Sequence, residues 1–283
     1  MVSNQKRIQT NKIKIFQNVT TEKELFEDNI QFFNQGDFYK NKDYIIDISS
    51  TNKFIINKMD KGSIKLEEIA SITRGFRPPP QELTSHALSK NLEKYLIGKD
   101  LKNSYNINWS GNLLKYNEEK INEAKPIKLF QRPKILIRDI GKKFNACYDE
   151  GEYLCLKTIY FIYDVEKCDL KYVLGIINSK LMLFYFRSRF SVMHIQGGYL
   201  RFRKQFLNQL PIKLVPELQQ KSIIKLVDKM SSLNKRLNEI GDKKTSESAK
   251  LEEEIKKTNN EINQLVYKLY GLTKKEIAIV EEN

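Results

Sequence analysis

The sequence predicts an α+β protein: a globular domain built on a mixed twisted sheet with packed helices, followed by an antiparallel coiled-coil helical hairpin. Three observations carry this. The runs "IKLF", "KILIRDI", "FNACYD" and "LKTIYFIYD" are short, rich in Ile, Leu, Tyr and Phe, and separated by Pro133, Gly141 and Gly151, as strands between turns are. After them, "DLKYVLGIINSKLMLFYFRSRF" places Leu170, Val173, Leu174, Ile177, Leu181 and Phe184 at helical spacing, which predicts a core helix packed on the sheet. Towards the C-terminus, Ile223, Leu226, Met230, Leu233, Leu237 and Ile240 step by threes and fours, the seam of a coiled-coil helix.

Taken in chain order, residues 1–50 are polar with scattered aromatics and read as an extended N-terminal connector. The globular domain is expected over 51–215. It begins with apolar positions at Ile64, Leu66, Ile69 and Ile72, and then "RPPP" halts regular structure, because proline lacks the backbone donor and restricts the residue before it. The arm is expected over 216–283. Its first seam breaks at Gly241 within "GDKKTSES", and a second runs through Leu251, Ile255, Ile262, Leu265 and Leu269 to a stop at Gly271. Such a hairpin serves as a spacer or partner-docking arm, or simply closes the domain; it could pair with itself, with a partner or with its own domain.

The charge is one-sided. Among 283 residues, 49 Lys and Arg face 35 Asp and Glu, a net +14 with a pI near 9.4, so the field favours polyanions and nucleic acid leads the partner classes. The competing explanation is codon bias in an A+T-rich genome. Cys147, Cys155 and Cys168 match neither a disulfide framework nor a zinc knuckle, which suggests a reducing cytoplasm. The first residues lack an apolar signal core, and the longest apolar run is broken by Asn178 and Lys180, so no membrane span is expected.

Common catalytic signatures are missing from the sequence. It holds no GxxxxGK[ST] or GxGxxG segment, and His86 and His194 stand too far from other ligand types for a familiar metal site. Asp139, Glu150 and Glu152, near Lys142 and Lys157, offer the one alternative enzyme reading, a magnesium-dependent nuclease. Cys147 and Cys155 read as buried, inert thiols. The positive signal is three basic segments interleaved with aromatics. "RGFRPPP" carries Arg74 and Arg77; "RPKILIRDIGKK" carries Arg132, Lys134, Arg138, Lys142 and Lys143 at the ends and on one side of a strand. The third, around "SVMHIQGGYLRFRKQF", holds Arg187, Arg189, His194, Gln196, Tyr199, Arg201, Arg203, Lys204 and Gln205. Lys and Arg neutralise phosphates and set register, while Arg and Gln forks read base edges. Gly197 and Gly198 would let the backbone turn close to a ligand.

"LGIINSKL" and "GGYLRFRKQFLNQLPI", within 174–212, together with "NNEINQLVYKLYGLTKKEIAIVEE" (259–282), resemble the TaqI-like C-terminal specificity domain of adenine-specific restriction–modification DNA methyltransferases. "IASITRGFRPPP", "KYLIGKDLKNSYNINW" and "RPKILIRDIGKKFNACYDEGEYLCLKTIYFI" are similar to its earlier blocks in the same order, so the resemblance spans about 50–283. It implies a DNA target-recognition domain over 51–215, related to type I specificity subunits, with a helical spacer. In such relatives a methyltransferase domain precedes it, with an Asn-Pro-Pro-Tyr adenine pocket and an S-adenosylmethionine glycine motif. Neither motif occurs in this chain. The resemblance therefore implies a recognition subunit or fragment without cofactor or activity of its own, with S-adenosylmethionine on a methyltransferase partner or missing domain. Its candidate contacts to double-stranded DNA are Arg74, Arg77, Arg138, Lys142, Arg187, Arg189, His194, Gln196, Tyr199, Arg201 and Arg203. The alternatives are the nuclease above and a coiled-coil interaction protein whose charge is incidental.

Overall fold

The computed structural model describes residues 50–79, 84–85, 92–190, 194–195, 197–241 and 244–282, with two antiparallel strands, β1 (Lys12–Phe16) and β2 (Ile30–Asn34), before them. Apart from that pair, the expected 1–50 connector lies outside the described residues. The chain continues through α1 (Ser50–Asp60), β3 (Ile64–Lys65), β4 (Ser71–Arg74), β5 (Thr84–Ser85), β6 (Glu93–Leu96), β7 (Leu113–Leu114), α2 (Ile127–Phe130), β8 (Lys134–Arg138) and β9 (Ile140–Gly141). Next come β10 (Cys147–Asp149), β11 (Leu154–Cys155), β12 (Ile159–Tyr163), α3 (Leu170–Ile177), α4 (Lys180–Arg189), β13 (His194–Ile195), β14 (Tyr199–Arg201), α5 (Lys204–Leu207) and β15 (Pro211–Ile212). Three helices finish it: α6 (Glu217–Ile240), α7 (Ser246–Leu269) and α8 (Lys274–Glu282). This is an α+β architecture. No helix among the described residues is long and apolar enough to cross a membrane.

Four strands in the order β10-β8-β12-β4, all antiparallel, form the central sheet. Because successive strand residues face opposite ways, Ile135, Ile137, Tyr160, Ile162 and Ile72 enter one core, and Leu136, Ile159 and Phe161 enter another. The first core holds α1, α3, α4 and the C-terminal helices; the second holds Phe76, Leu96, Leu114 and Phe130. The sheet is thus covered on both faces. Each fully buried Ile, Leu or Phe contributes about 1.5–3 kcal/mol of apolar burial. Cys147 and Cys155 lie in the second core, where burial pushes both thiols up to about 12 and keeps them protonated.

Two elements differ from expectation. "IKLF" forms the short helix α2 rather than a strand, with the Leu129 N–H donating to Pro126 O at 2.8 Å; Phe130 is the anchor, buried at its end. The single long core helix is two, because Asn178 leaves the helix to pair with the sheet. Its side-chain amide donates to Ala146 O and accepts from Ala146 N–H, both at 2.9 Å, and Ser179 then caps α4 by accepting from Met182 N–H at 3.1 Å. Leu181 and Phe184 are core, as expected, and Phe186 joins them.

The arm is an antiparallel hairpin: Lys229 pairs with Glu254 at 2.9 Å and Arg236 with Glu247 at 2.8 Å, so the partner recedes along α7 as α6 advances. It packs along the domain, with Val227, Met230, Ile262 and Val266 in the first core. Gly175 of α3 lets α6 come close, since a Cβ there would meet Ile223 Cγ2 at 2.5 Å. Farther along, the Asn238 amide donates to Asn106 Oδ1 at 2.6 Å and accepts from the Asn106 amide at 3.1 Å.

Glu276 fastens α8 to α1. Its carboxylate accepts from Lys58 Nζ at 2.8 and 2.9 Å and from Thr273 N–H at 2.5 Å. Burial raises its pKa, but the Lys58 and Thr273 hydrogen bonds together outweigh burial and leave it below the ordinary 4.5. A carboxyl with a lower pKa folded than unfolded adds stability that is complete above the unfolded value and lost as pH falls through the folded one. Acidification below 4.5 is therefore expected to lower the urea midpoint. Glu276→Gln should cost about 1–3 kcal/mol at neutral pH and flatten that acid limb; an unchanged limb in the variant contradicts the assignment.

Candidate nucleic-acid interface

The site is assembled where the chain changes sheets. β8 leaves the central sheet at Asp139 and continues as β9, which pairs with β14 in the three-stranded sheet β13-β14-β9. Asp139 is the hinge. Its N–H donates to Thr158 O at 2.9 Å, its carbonyl accepts from Phe202 N–H at 2.8 Å, and its carboxylate accepts from Arg74 at 3.1 Å. Three segments distant in sequence, 72–77, 138–142 and 199–204, thereby meet at one end of the central sheet.

The sequence "RGFR" suits its place. Phe76 is wholly buried, edge-on to Tyr116 and Phe130 with ring centroids at 5.5 and 5.8 Å. Gly75 permits a close passage over 155–156, since a Cβ there would lie 2.1 Å from Cys155 O and 2.5 Å from Leu156 O. Arg74 and Arg77 emerge on either side of this plug. Arg74 Nε donates to Lys157 O, and its guanidinium lies 5.4 Å from the centre of the Tyr160 ring. Arg77 N–H donates to Asn122 O at 3.1 Å and its Nε to Glu123 at 2.8 Å. Burial raises the Tyr160 phenol above its ordinary 10.0, against the pull of Arg74 and Arg203, so it stays a neutral hydroxyl.

The glycine pair also turns as expected. Gly197 and Gly198 have φ of +81° and +74°, and beyond them Tyr199 pairs with Ile195 and Leu200 with His194. The basic segment with the glycine pair thus includes a short strand pair. Leu200 enters the core, and Tyr199 and Arg201 alternate to the outer face, where Lys142 Nζ sits 5.4 Å from the Tyr199 ring centre. At the end of α4, Arg187 donates to Lys142 O at 3.2 Å. Arg201 Nε is buried without a hydrogen-bond partner among the described residues. Arg203 opens α5 and acts electrostatically on Tyr160.

Arg74, Arg77, Lys142, Arg187, Tyr199, Arg201 and Arg203 are therefore gathered, while other expected residues are not. Arg138 pairs with Ile159 on the second-core face of the sheet, opposite the face that carries Arg74 and Tyr160. Arg189 follows Tyr185 by one helical turn, on the α1 side, where the Tyr185 hydroxyl donates to Asp60 at 2.8 Å. Lys134 is no surface cation: it is fully buried, 2.5 Å from Asp149 and bonded to Phe130 O, because its alternate strand position faces the second core. Gln196 and the side chain of His194 lie outside the described residues. Charge counting gives no cue to Glu123 or Tyr160, which enter through pairing alone, and groups Lys157 only with the candidate carboxylates.

Those carboxylates do not assemble. Asp139 holds Arg74, Glu152 pairs with Lys94, and Glu150 acts on Tyr148 and Lys171; no cluster of three potential metal ligands occurs among the described residues.

Residues 93–212 match the TaqI-like C-terminal specificity domain. That span includes β9, β14 and the end of α4 but not the 74–77 plug. No curated protein sequence matches the chain. Among solved structures, the type IIL restriction–modification enzyme MmeI, solved in complex with DNA, is similar with a TM-score of 0.50 and 11% identity over 78% of this chain and 36% of that one. The HsdS subunit from Thermoanaerobacter tengcongensis gives 0.40 and 13%, over 78% and 50%. The type IIG restriction endonuclease BpuSI gives 0.42 and 11%, over 85% and 36%. The chain spans half or less of each of these.

Proposed function

With residues 93–212 as a TaqI-like C-terminal specificity domain, we propose that this chain recognises a target sequence in double-stranded DNA for a restriction–modification system. The observation that carries the reading is that the segments bearing Arg74 and Arg77, Lys142, and Tyr199, Arg201 and Arg203 meet at Asp139, with Arg187 bonded to Lys142 O. Clustered cations suit phosphates, and the Arg201 guanidinium on β14 suits a base edge. Residues 51–215 form the recognition domain in this reading, and 216–283 the arm that docks a methyltransferase or restriction subunit.

The modified base is adenine in this proposal, and the partner, which binds S-adenosylmethionine, flips it. The residues of this chain do not fit an adenine pocket. Asn-Pro-Pro-Tyr is absent, and the chain's proline run follows Arg77, whose guanidinium is held by Glu123. No step of methyl transfer is assigned to it.

Selection from a pool of randomised duplexes by the full chain tests the reading. A recurrent sequence is expected, and Arg201→Ala should weaken binding of the selected duplex by about 1–3 kcal/mol. A pool that stays random while binding is retained would reduce the role to non-specific DNA binding, and affinity unchanged by Arg201→Ala across salt concentrations would remove that residue.

A further inference from the structure

We infer that Arg77, Arg74 and Lys157 form a phosphate subsite which Glu123 occupies in the free protein, and that a backbone phosphate of bound DNA displaces this carboxylate. The identity of the ligand rests on the DNA-recognition reading; the subsite itself rests on geometry. Glu123 Oε1 lies 2.8 Å from Arg77 Nε, and the same stretch is tied to Arg77 through the Asn122 carbonyl, which accepts the Arg77 N–H at 3.1 Å. The backbone of Lys157 is held beside the 74–77 stretch by two bonds, and its side-chain charge acts on the Glu123 carboxylate. Its N–H donates to Phe76 O at 2.7 Å, and its carbonyl accepts from Arg74 Nε. Arg74 also keeps Asp139 as a partner, so Arg77 and Lys157 are the cations left to a new anion.

Three features argue that Glu123 stands in for a ligand rather than holding the fold. Arg77 and Glu123 keep 56% and 50% of their side chains exposed, and exposed ion pairs add little stability. Glu123 has φ +60°, in the left-handed region that costs a residue with a Cβ. All three cations act on its one carboxyl, the Arg77 hydrogen bond most, and hold it below its ordinary range. Phosphate offers the same charge-assisted acceptor geometry with more charge, and arginine takes either anion. The acidic residue would then temper binding to arbitrary DNA, since every unspecific phosphate must first displace it.

The test compares the full chain with Glu123→Gln, Arg77→Ala and the double variant, using a labelled duplex of mixed sequence over a range of salt. Glu123→Gln is expected to tighten binding about three- to fivefold and to steepen the log–log salt slope by about 0.9, and the double variant to show no gain over Arg77→Ala. A second probe, inorganic phosphate, is followed by NMR of the arginine Nε–H signal lost in Arg77→Lys; its titration midpoint should fall in Glu123→Gln. Duplex binding by the full chain with no gain in Glu123→Gln overturns the displacement and leaves the DNA reading standing. No duplex binding at all, with the phosphate midpoint lowered in Glu123→Gln, retains the subsite and removes the DNA reading. An unchanged phosphate midpoint overturns the subsite.

Discussion

Lys134→Ala is expected to lower the unfolding free energy by about 3–5 kcal/mol, the largest single-site effect expected in the domain. Lys134 and Asp149 face each other across β8 and β10, and both side chains are withdrawn from solvent. The ammonium bonds to the Asp149 carboxylate at 2.5 Å and to Phe130 O, while Asp149 also accepts from the N–H groups of Gly151, Glu152 and Tyr153. Removing the lysine strands a charge in a second core otherwise lined by Phe130, Leu154 and Cys155. Urea denaturation checks the magnitude. The double replacement Lys134→Met with Asp149→Asn should recover much of the loss, because it removes both charges and keeps an acceptor for the N–H groups of residues 151–153. A loss below about 1 kcal/mol for the single variant would contradict the buried pair.

Gly75→Ala is the second. Its Cβ would meet two backbone carbonyl oxygens, at 2.1 and 2.5 Å, and backbone yields less readily than a side-chain tip. The 74–77 segment must lift off residues 155–156, breaking the bonds of Gly75 N–H to Ile159 O at 3.0 Å and of Phe76 N–H to Cys155 O at 3.1 Å. Overpacking of this kind costs about 1–3 kcal/mol. The lift also moves Arg74 and Arg77 together, so duplex affinity should fall by more than in Arg74→Ala or Arg77→Ala alone. Affinity equal to that of the unsubstituted chain, in a folded Gly75→Ala protein, would show that the plug does not place these arginines.

What the sequence discloses and what it hides divide along one physical line. The α6–α7 hairpin is legible because a helical seam is a local repeat, complete within each segment. Strands β8 and β12 are legible for the same reason. The break at Asn178 is not, since nothing in "IINSK" shows that the amide has a backbone partner at Ala146. Lys134 reads as a surface cation because its mate, Asp149, is fixed only by strand register. The basic segments of the site are visible as composition, whereas their faces depend on parity and helical phase. That is why Arg74 and Arg138, at the same end of one sheet, lie on opposite sides of it.

One end of the central sheet, around Asp139, is expected to be the surface that meets the duplex. Hydrogen exchange of the full chain with and without saturating duplex measures this directly. Peptides covering 72–79, 139–143 and 199–205 are expected to slow together on binding. Protection confined to the 216–283 arm, with those three segments exchanging as in the free protein, would contradict the account.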